Sequence, residues 1–530
     1  MRRLFATVFL AALALAPSAS GMPVFFVEGR GWGHGIGMAQ YGAQGYASRD
    51  DRSHTWILGH YYPGTTVAQT SVRSVRILLT EGRSSLGVGS DAAFSVTDGD
   101  GRMFELPAGS VDLGASLEIT VKGERKRLAS PARFIRGTKA LELGGRPYRG
   151  DLIVRSSGGT LSAVNDVGLE AYLYGVVPDE MPPSWHPEAL KSQAVAARSY
   201  AVVSRRTSGS FDLYSDTRSQ VYGGIRSEEQ RTNAAVDGTA GQVVMHRGKV
   251  AFTFFHSTSG GRTAAIEDVW NAAPVPYLVA VADPHDDLSP YHRWGPFRYS
   301  AGGLATRLGS LDPAGSLLDV TVERNGSGRA GTVSARGSRA TTRMAGTTFQ
   351  SRLGLRSSWF TVSVLSLGGD GRVEYGEAAP LRGIARGPRA AFLERRASGG
   401  SWRRIGLLGR TADGTFRVRA KPAKTTWYRI AAPVGTSLEH RVDVAPLVRF
   451  DRAEGSGVLS GFVRPAQAGG RVAIQRLDGS RWKTLARVRT DARGRFRAEI
   501  ALTGGTYRAV VTLGAGYVQG RTPPLEVVRG

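Results

Sequence analysis

Hydrophobic and polar positions divide this 530-residue chain into stretches of different period. Between 169 and 177, Leu169, Tyr172, Leu173, Val176 and Val177 recur every three or four positions, the spacing of one apolar helix face. Pro178 is expected to end that helix, because its ring clashes with an earlier carbonyl and it has no N–H to donate. A proline-rich corner follows. A second helix is predicted from Pro187, which suits a first turn, with Glu188 at the positive end of the helix dipole. Its face carries Ala189, Leu190, Gln193, Ala194, Ala197 and Ala201, small enough for another helix to approach closely. Helical spacing also resumes over 38–47, and a helix over 228–239 and a strand over 241–246 are predicted after the central pair.

Between 72 and 165 the period drops to two. Alternating runs at 75–79, 94–97, 117–121 and 152–154 are separated by Asp-Gly, Gly-Gly and Ser-Ser-Gly clusters, the pattern of short strands and turns. Residues 370–530 alternate as well, and they repeat. Gly383, Leu393, Trp402, Phe416 and Tyr428 have counterparts in Gly461, Ile474, Trp482, Phe496 and Tyr507. A repeat of about 80 residues with this alternation predicts two small β-sandwiches. The expected architecture is α+β: a mixed domain over 21–368 containing a β-rich subdomain at 72–165, then all-β, sandwich-like repeats at 369–446 and 447–530.

The N-terminus changes the picture in one respect. Two arginines precede an apolar run from Leu4 to Ala16, with Ser18 and Ser20 beyond it, the form of a secretory signal peptide over 1–20. A retained membrane anchor is the competing reading. No later stretch reaches the roughly 18 apolar residues of a membrane helix, so the mature chain is expected off the membrane, extracellular or associated with the cell wall.

Composition narrows the chemistry. The absence of cysteine excludes disulfides, thiol catalysis and Cys-ligated zinc. No HExxH pattern or His/carboxylate cluster marks a metal site, so neither a metal nor a cofactor is expected. The formal charge is +25, and residues 371–530 hold 30 Lys and Arg against 12 Asp and Glu, about +18 of it. Such a balance fits a polyanionic partner. No nucleic-acid-binding motif accompanies it, and a secreted chain meets other polyanions first; anionic wall polymers with phosphate or carboxylate groups, held through the C-terminal repeats, are the expected partner, and a spacer with solvated basic faces is the alternative.

Candidate chemistry concentrates in the corner after Pro178. Glu180 lies there with Val177, Met181 and Trp185 close in sequence. Apolar neighbours raise a carboxyl's pKa, and an acid still protonated near neutral pH can serve as a general acid; on the residues alone, a solvated loop carboxylate is the commoner fate of a glutamate. The glycines at 29, 31, 33, 35 and 37 let the backbone turn tightly and approach a ligand. They lack the strand and lysine of a phosphate-cradling loop. His256, Ser257 and Ser259 invite comparison with a serine nucleophile, but the G-x-S-x-G elbow is missing. Hydroxyls capping a turn, or hydroxyls bonding sugar, remain as readings of that run.

Several of these segments together resemble the SpoIID/LytB family of cell-wall proteins. The resemblance rests on Val164, Asn165, Leu169, Glu170, Tyr172, Leu173, the triplet Glu180-Met181-Pro182 and the run EALKSQAVAAR at 188–198. The runs GWGHGIGMAQYGA at 31–43, YYPGT at 61–65, QVYGG at 220–224 and STSGGRT at 257–263 are also similar to family patterns. The glycine run comes first here, whereas in many members it is expected near the domain's end, an order that resembles a circular permutation. The resemblance covers roughly residues 24–365. It implies a lytic transglycosylase acting on peptidoglycan glycan strands, with Glu180 as the catalytic acid. Implied sugar contacts are His34, Gln40, Gln193, Arg198, Gln220, Tyr222, Ser257, Ser259, Gly260 and Thr263. LytB-type relatives imply a second role, a glycan-binding enhancer of a cell-wall amidase; the resemblance leaves sporulation and ordinary wall growth both open.

Overall fold

In a computed structural model of the protein, describing residues 21–206, 208–309, 315–454, 457–514 and 516–528, the strand Val24–Gly29 (VFFVEG) joins the two ends of the mixed domain. Its apolar residues are buried on both faces, as in a strand covered from both sides. Antiparallel neighbours flank it, Trp294–Ser300 on one edge and Phe360–Gly369 on the other. Phe25 and Val27 face a core with Leu304, Val320, Phe349 and Phe360. Val24 and Phe26 face the opposite core, with Leu365, Leu381, Tyr428 and Ile430. The expected signal peptide at 1–20 lies outside the described residues.

Besides the hairpin of Glu118–Val121 with Glu124–Arg127, the alternating segment forms two larger sheets. One runs in the order Leu213–Tyr214, Ser74–Arg83, Thr160–Gly168, Asp151–Ser157, Ala132–Ile135, Phe94–Thr97, Met103–Leu106. The other is Arg146–Tyr148, Leu141–Leu143, Ser85–Ser90, Gly109–Gly114. Val88, Leu113, Phe134, Leu152 and Val154 share one core with the helices that follow.

Helices gather around the predicted corner. They are α1 (Gln40–Asp50), α2 (His54–Tyr61), α3 (Leu169–Tyr174), α4 (Val177–Glu180), α5 (Pro187–Ser204) and α6 (Gln230–Asp237). α5 is central, with α1, α2, α3 and α6 all packed on it. Ala189, Ala194, Ala196, Ala197 and Ala201 have no exposed surface, so the small-residue face does permit close approach. Enlarging one of them by a methylene or two would overpack the seam, typically at about 1–3 kcal/mol. One detail differs from expectation. The first helix ends at Tyr174, and Pro178 does not stop it; it occupies the opening of the separate single turn α4. There the missing N–H costs nothing, since first-turn donors have no intrahelical partner.

Each C-terminal repeat is two facing sheets around one core. In the second, Leu447–Glu454, Val458–Arg464 and Arg495–Glu499 face Arg471–Asp478, Arg481–Arg489 and Gly505–Thr512, with Val448, Leu459, Ile474, Phe496 and Tyr507 between them. In the first, Phe360–Gly369, Ala379–Arg386 and Thr415–Ala420 form the matching layer. The repeated tryptophans do matching work: the Arg429 guanidinium lies 4.2 Å from the Trp402 ring centroid, and Arg508 lies 4.0 Å from that of Trp482. The expected junction at 368/369 falls inside the strand Phe360–Gly369, so the first repeat and the mixed domain share one five-stranded sheet. No helix among the described residues is long and apolar enough to cross a membrane.

Candidate active site

α4 presents Glu180. Val177 and Met181, both buried, pin the turn on either side, and the half-buried carboxylate between them enters an open cleft of about 640 Å³. Six stretches of chain supply the walls. The glycine-rich loop brings Trp32, Gly33 and His34, and α1 begins with Gln40. α5 adds Tyr200, and the segment after it adds Thr217, Ser219, Gln220 and Val221. Phe254, Phe255, His256 and Ser257 lie opposite, with Trp270 at the rim. The loop and the 254–257 segment meet because Met38–Ala39 pairs in parallel with Phe255–His256.

Burial dominates the electrostatics of Glu180 and pushes its carboxyl up to about 7. The negative charge of Asp179 adds to the rise; a hydrogen bond from Gln40 (Nε2 to Oε2, 3.5 Å) and the backbone amide of Val221 oppose it. A carboxyl poised there holds its proton for a large fraction of the time at neutral pH and can also release it.

The two histidines are neutral. His34 is held down at about 4 by burial and by the nearby charge of Arg329. Its Nδ1 accepts the Ile36 N–H at 3.0 Å, which puts the ring proton on Nε2. His256, 5 % exposed, is lowered still further by burial, and its Nδ1 faces the Ile36 carbonyl at 3.2 Å. That leaves the His256 Nε2 as a buried acceptor with no partner among the described residues. Gly33 makes this closeness possible: its φ is 107°, and a Cβ there would stand 2.9 Å from that of His256. Across the cleft, Gln220 accepts the Tyr172 hydroxyl at 3.2 Å and leaves its Nε2 without a partner. The cleft therefore offers a poised acid, an unused acceptor and an unused donor, with Trp32 and Trp270 (42 and 45 % exposed) as aromatic edges. Such edges suit the apolar faces of sugar rings.

Of the residues expected to contact sugar, His34, Gln40, Gln220 and Ser257 line the cleft. The others are placed in the interior. Arg198 has no exposed surface; it clamps Glu170 and the carbonyls of Gln242 and Val236. Gln193 is fully buried on α5, and Tyr222 is buried with its hydroxyl donating to Asn165 at 2.8 Å. Ser259 and Gly260 donate their backbone N–H groups to the two oxygens of buried Asp286, and the Thr263 hydroxyl serves the Val279 carbonyl and the Val281 amide. For these three the turn-capping alternative describes the geometry. His256, Tyr200, Thr217, Ser219 and Trp270 complete the cleft without having been singled out as sugar contacts. His256 is brought there by its pairing with the strand after the glycine-rich loop, which no local pattern reveals.

The profile of a stage II sporulation protein family matches residues 157–246, which include Glu180 and Gln220. An uncharacterized protein of Brachyspira hyodysenteriae is 40% identical over 142 residues, 26% of this chain and 38% of that protein. An amidase enhancer of Bacillus subtilis is 43% identical over 114 residues, 22% of this chain and 15% of that protein. The chain thus spans well under half the length of both. Stage II sporulation protein D of Bacillus amyloliquefaciens is 32% identical over 254 residues, 40% of this chain and 68% of that protein. With two thirds of that relative accounted for, and the profile spanning the turn that carries Glu180, the chain belongs to the stage II sporulation protein D family.

Proposed function

We propose that this protein is a lytic transglycosylase of the cell wall, cutting the β-1,4 bond between MurNAc and GlcNAc and leaving 1,6-anhydroMurNAc ends. The observation that carries the reading is Glu180, poised at about 7 in an open cleft with aromatic edges. Ordinary glycosidases use two carboxylates, one as acid and one as nucleophile or base. Among the described residues that line this cleft, Glu180 is the one carboxylate, and an intramolecular reaction needs no second. The Glu180 carboxyl gives its proton to the glycosidic oxygen as the C1–O bond breaks. The carboxylate then takes the proton of the C6 hydroxyl of the same MurNAc, whose oxygen bonds to C1 and closes the anhydro ring. A tethered nucleophile of this kind has an effective molarity on the order of 10⁵ M or more. The acid–base step contributes roughly 10²–10⁴ in rate. Secretion and retention at the wall through the basic repeats complete the reading.

Glu180→Gln keeps the shape and removes the proton. Mass spectrometry of digested peptidoglycan is expected to show anhydro products with the natural chain and at least a hundredfold less with the variant. Equal product from both would overturn the assignment. The likeness to an amidase enhancer supports a second reading, in which the cleft holds glycan and stimulates a separate amidase. Stimulation of amidase activity without new anhydro ends, and equally by Glu180→Gln, selects that reading.

A further inference from the structure

A second cleft, of about 520 Å³, lies on the other side of the glycine-rich loop. Arg30, Arg293 and Arg324 converge on it over Trp294 and Trp359, with Glu28 at its edge. None of these arginines makes an ion pair among the described residues, and neither Arg30 nor Arg293 has a hydrogen-bond partner there for its guanidinium. Arg324 donates to the carbonyls of Gly328 (2.6 Å) and Phe360 (3.3 Å), which orients it without neutralising it. Arg30 stands over the Trp359 ring, 5.6 Å from its centroid. Its stem is pressed by Gly260, where φ is 82° and a Cβ would come within 2.6 Å of the Arg30 Cβ. The three are close enough to repel: burial, then Arg293 and Arg324, lower the Arg30 pKa. Glu28 offsets part of the charge and leaves a positive excess.

We propose that this pocket binds an oxyanion, a carboxylate or phosphate, on a ligand that runs past the Glu180 cleft. Planar guanidinium groups with free N–H pairs match both anions bidentately, and the tryptophan floor lowers the local dielectric and strengthens the contact. Position adds to the argument. Arg30 lines this pocket and Trp32 lines the Glu180 cleft; two residues along an extended chain span no more than about 7 Å. A polymer seated in the cleft therefore brings its charged substituents within reach of the arginines. The site stands apart from the reaction at Glu180 and survives if that assignment fails.

The test is calorimetric titration of the full chain with inorganic phosphate and with acetate at low ionic strength. Arg293 is exposed and its guanidinium has no hydrogen bond or ion pair among the described residues, so Arg293→Ala is expected to unfold at the same temperature as the natural chain. It and Arg30→Ala are each expected to weaken anion binding on the order of tenfold or more. Arg52→Ala, which removes an exposed arginine lying over Trp56 instead, is expected to leave it unchanged. No binding by the natural chain, no loss in the variants, or an equal loss in Arg52→Ala overturns the proposal. Retention on cell walls then identifies the source. The difference between the natural chain and Arg293→Ala vanishes on walls stripped of phosphate polymer if the anion is phosphate, and on walls with amidated carboxyls if it is a carboxylate. A difference that survives both treatments contradicts the proposal.

Discussion

Glu180 and Gln40 form a tunable pair. The Gln40 amide favours the charged form of the carboxyl, so Gln40→Leu raises the Glu180 pKa further. Activity that needs the protonated acid falls as pH rises through about 7 in the natural chain; in the variant this alkaline limb moves to higher pH, which a pH–rate profile reads. Stability carries the same sign. The folded-state pKa of Glu180 is above its ordinary 4.5, so its protonated form favours the fold below that value and the contribution is lost as pH rises through about 7. Glu180→Gln, which bears no charge, is expected to match the natural chain in thermal unfolding at pH 4.5 and to exceed it at pH 8. Arg198 behaves differently. Removing it leaves Glu170 without its buried partner, a loss typically of about 3–5 kcal/mol; Arg198→Ala is expected to lower the unfolding temperature sharply, where a sugar contact would have changed glycan binding at constant stability. Glu180 was legible through the resemblance carried by Glu180-Met181-Pro182; its proline and apolar neighbours alone left a solvated loop carboxylate as the commoner reading. The sequence did not separate Gln40, which reaches the acid, from Gln193, which faces the core. Both are glutamines on amphipathic stretches, and only tertiary packing decides which side meets the cleft.

At the scale of elements, α5 organises the site, and Glu188 ties its start to the start of α2. Burial alone would raise the Glu188 carboxyl, but hydrogen bonds from Lys191 and from the backbone and ring of His54 outweigh it and hold the group at about 2. Glu188→Ala is expected to cost roughly 1.5–3 kcal/mol, the range for hydrogen bonds to a charged group, measured by denaturant unfolding. The start of α5 was readable from Pro187, and its buried face from the alanine spacing. The break between α3 and α4 was not, because an apolar period running through Val176 and Val177 continues whether or not the backbone does. The pairing of Met38–Ala39 with Phe255–His256, which brings the glycine-rich loop beside Glu180, spans over two hundred residues and leaves no local pattern.

At the scale of the molecule, the first C-terminal repeat belongs to the fold of the mixed domain. The strand Phe360–Gly369 pairs with Val24–Gly29 on one side and Ala379–Arg386 on the other. A chain ending at 369 exposes that strand as an open edge and is expected to aggregate. A chain ending at 446 retains the five-stranded sheet and is expected to remain unaggregated with the Glu180 cleft intact, while binding walls more weakly and with a shallower salt dependence. Gel filtration and wall-binding isotherms check both. The repeat itself was visible in the spacing of Trp402 and Trp482 from their phenylalanines. Its first strand was hidden, because that strand carries the patterning of the preceding domain and serves both. All of this scaffolding positions one carboxyl, and a ¹³C NMR titration of the Glu180 side chain, identified by its loss in Glu180→Gln, tests the account most directly. A midpoint near 7 is the predicted result; a midpoint at the ordinary 4.5 would contradict it.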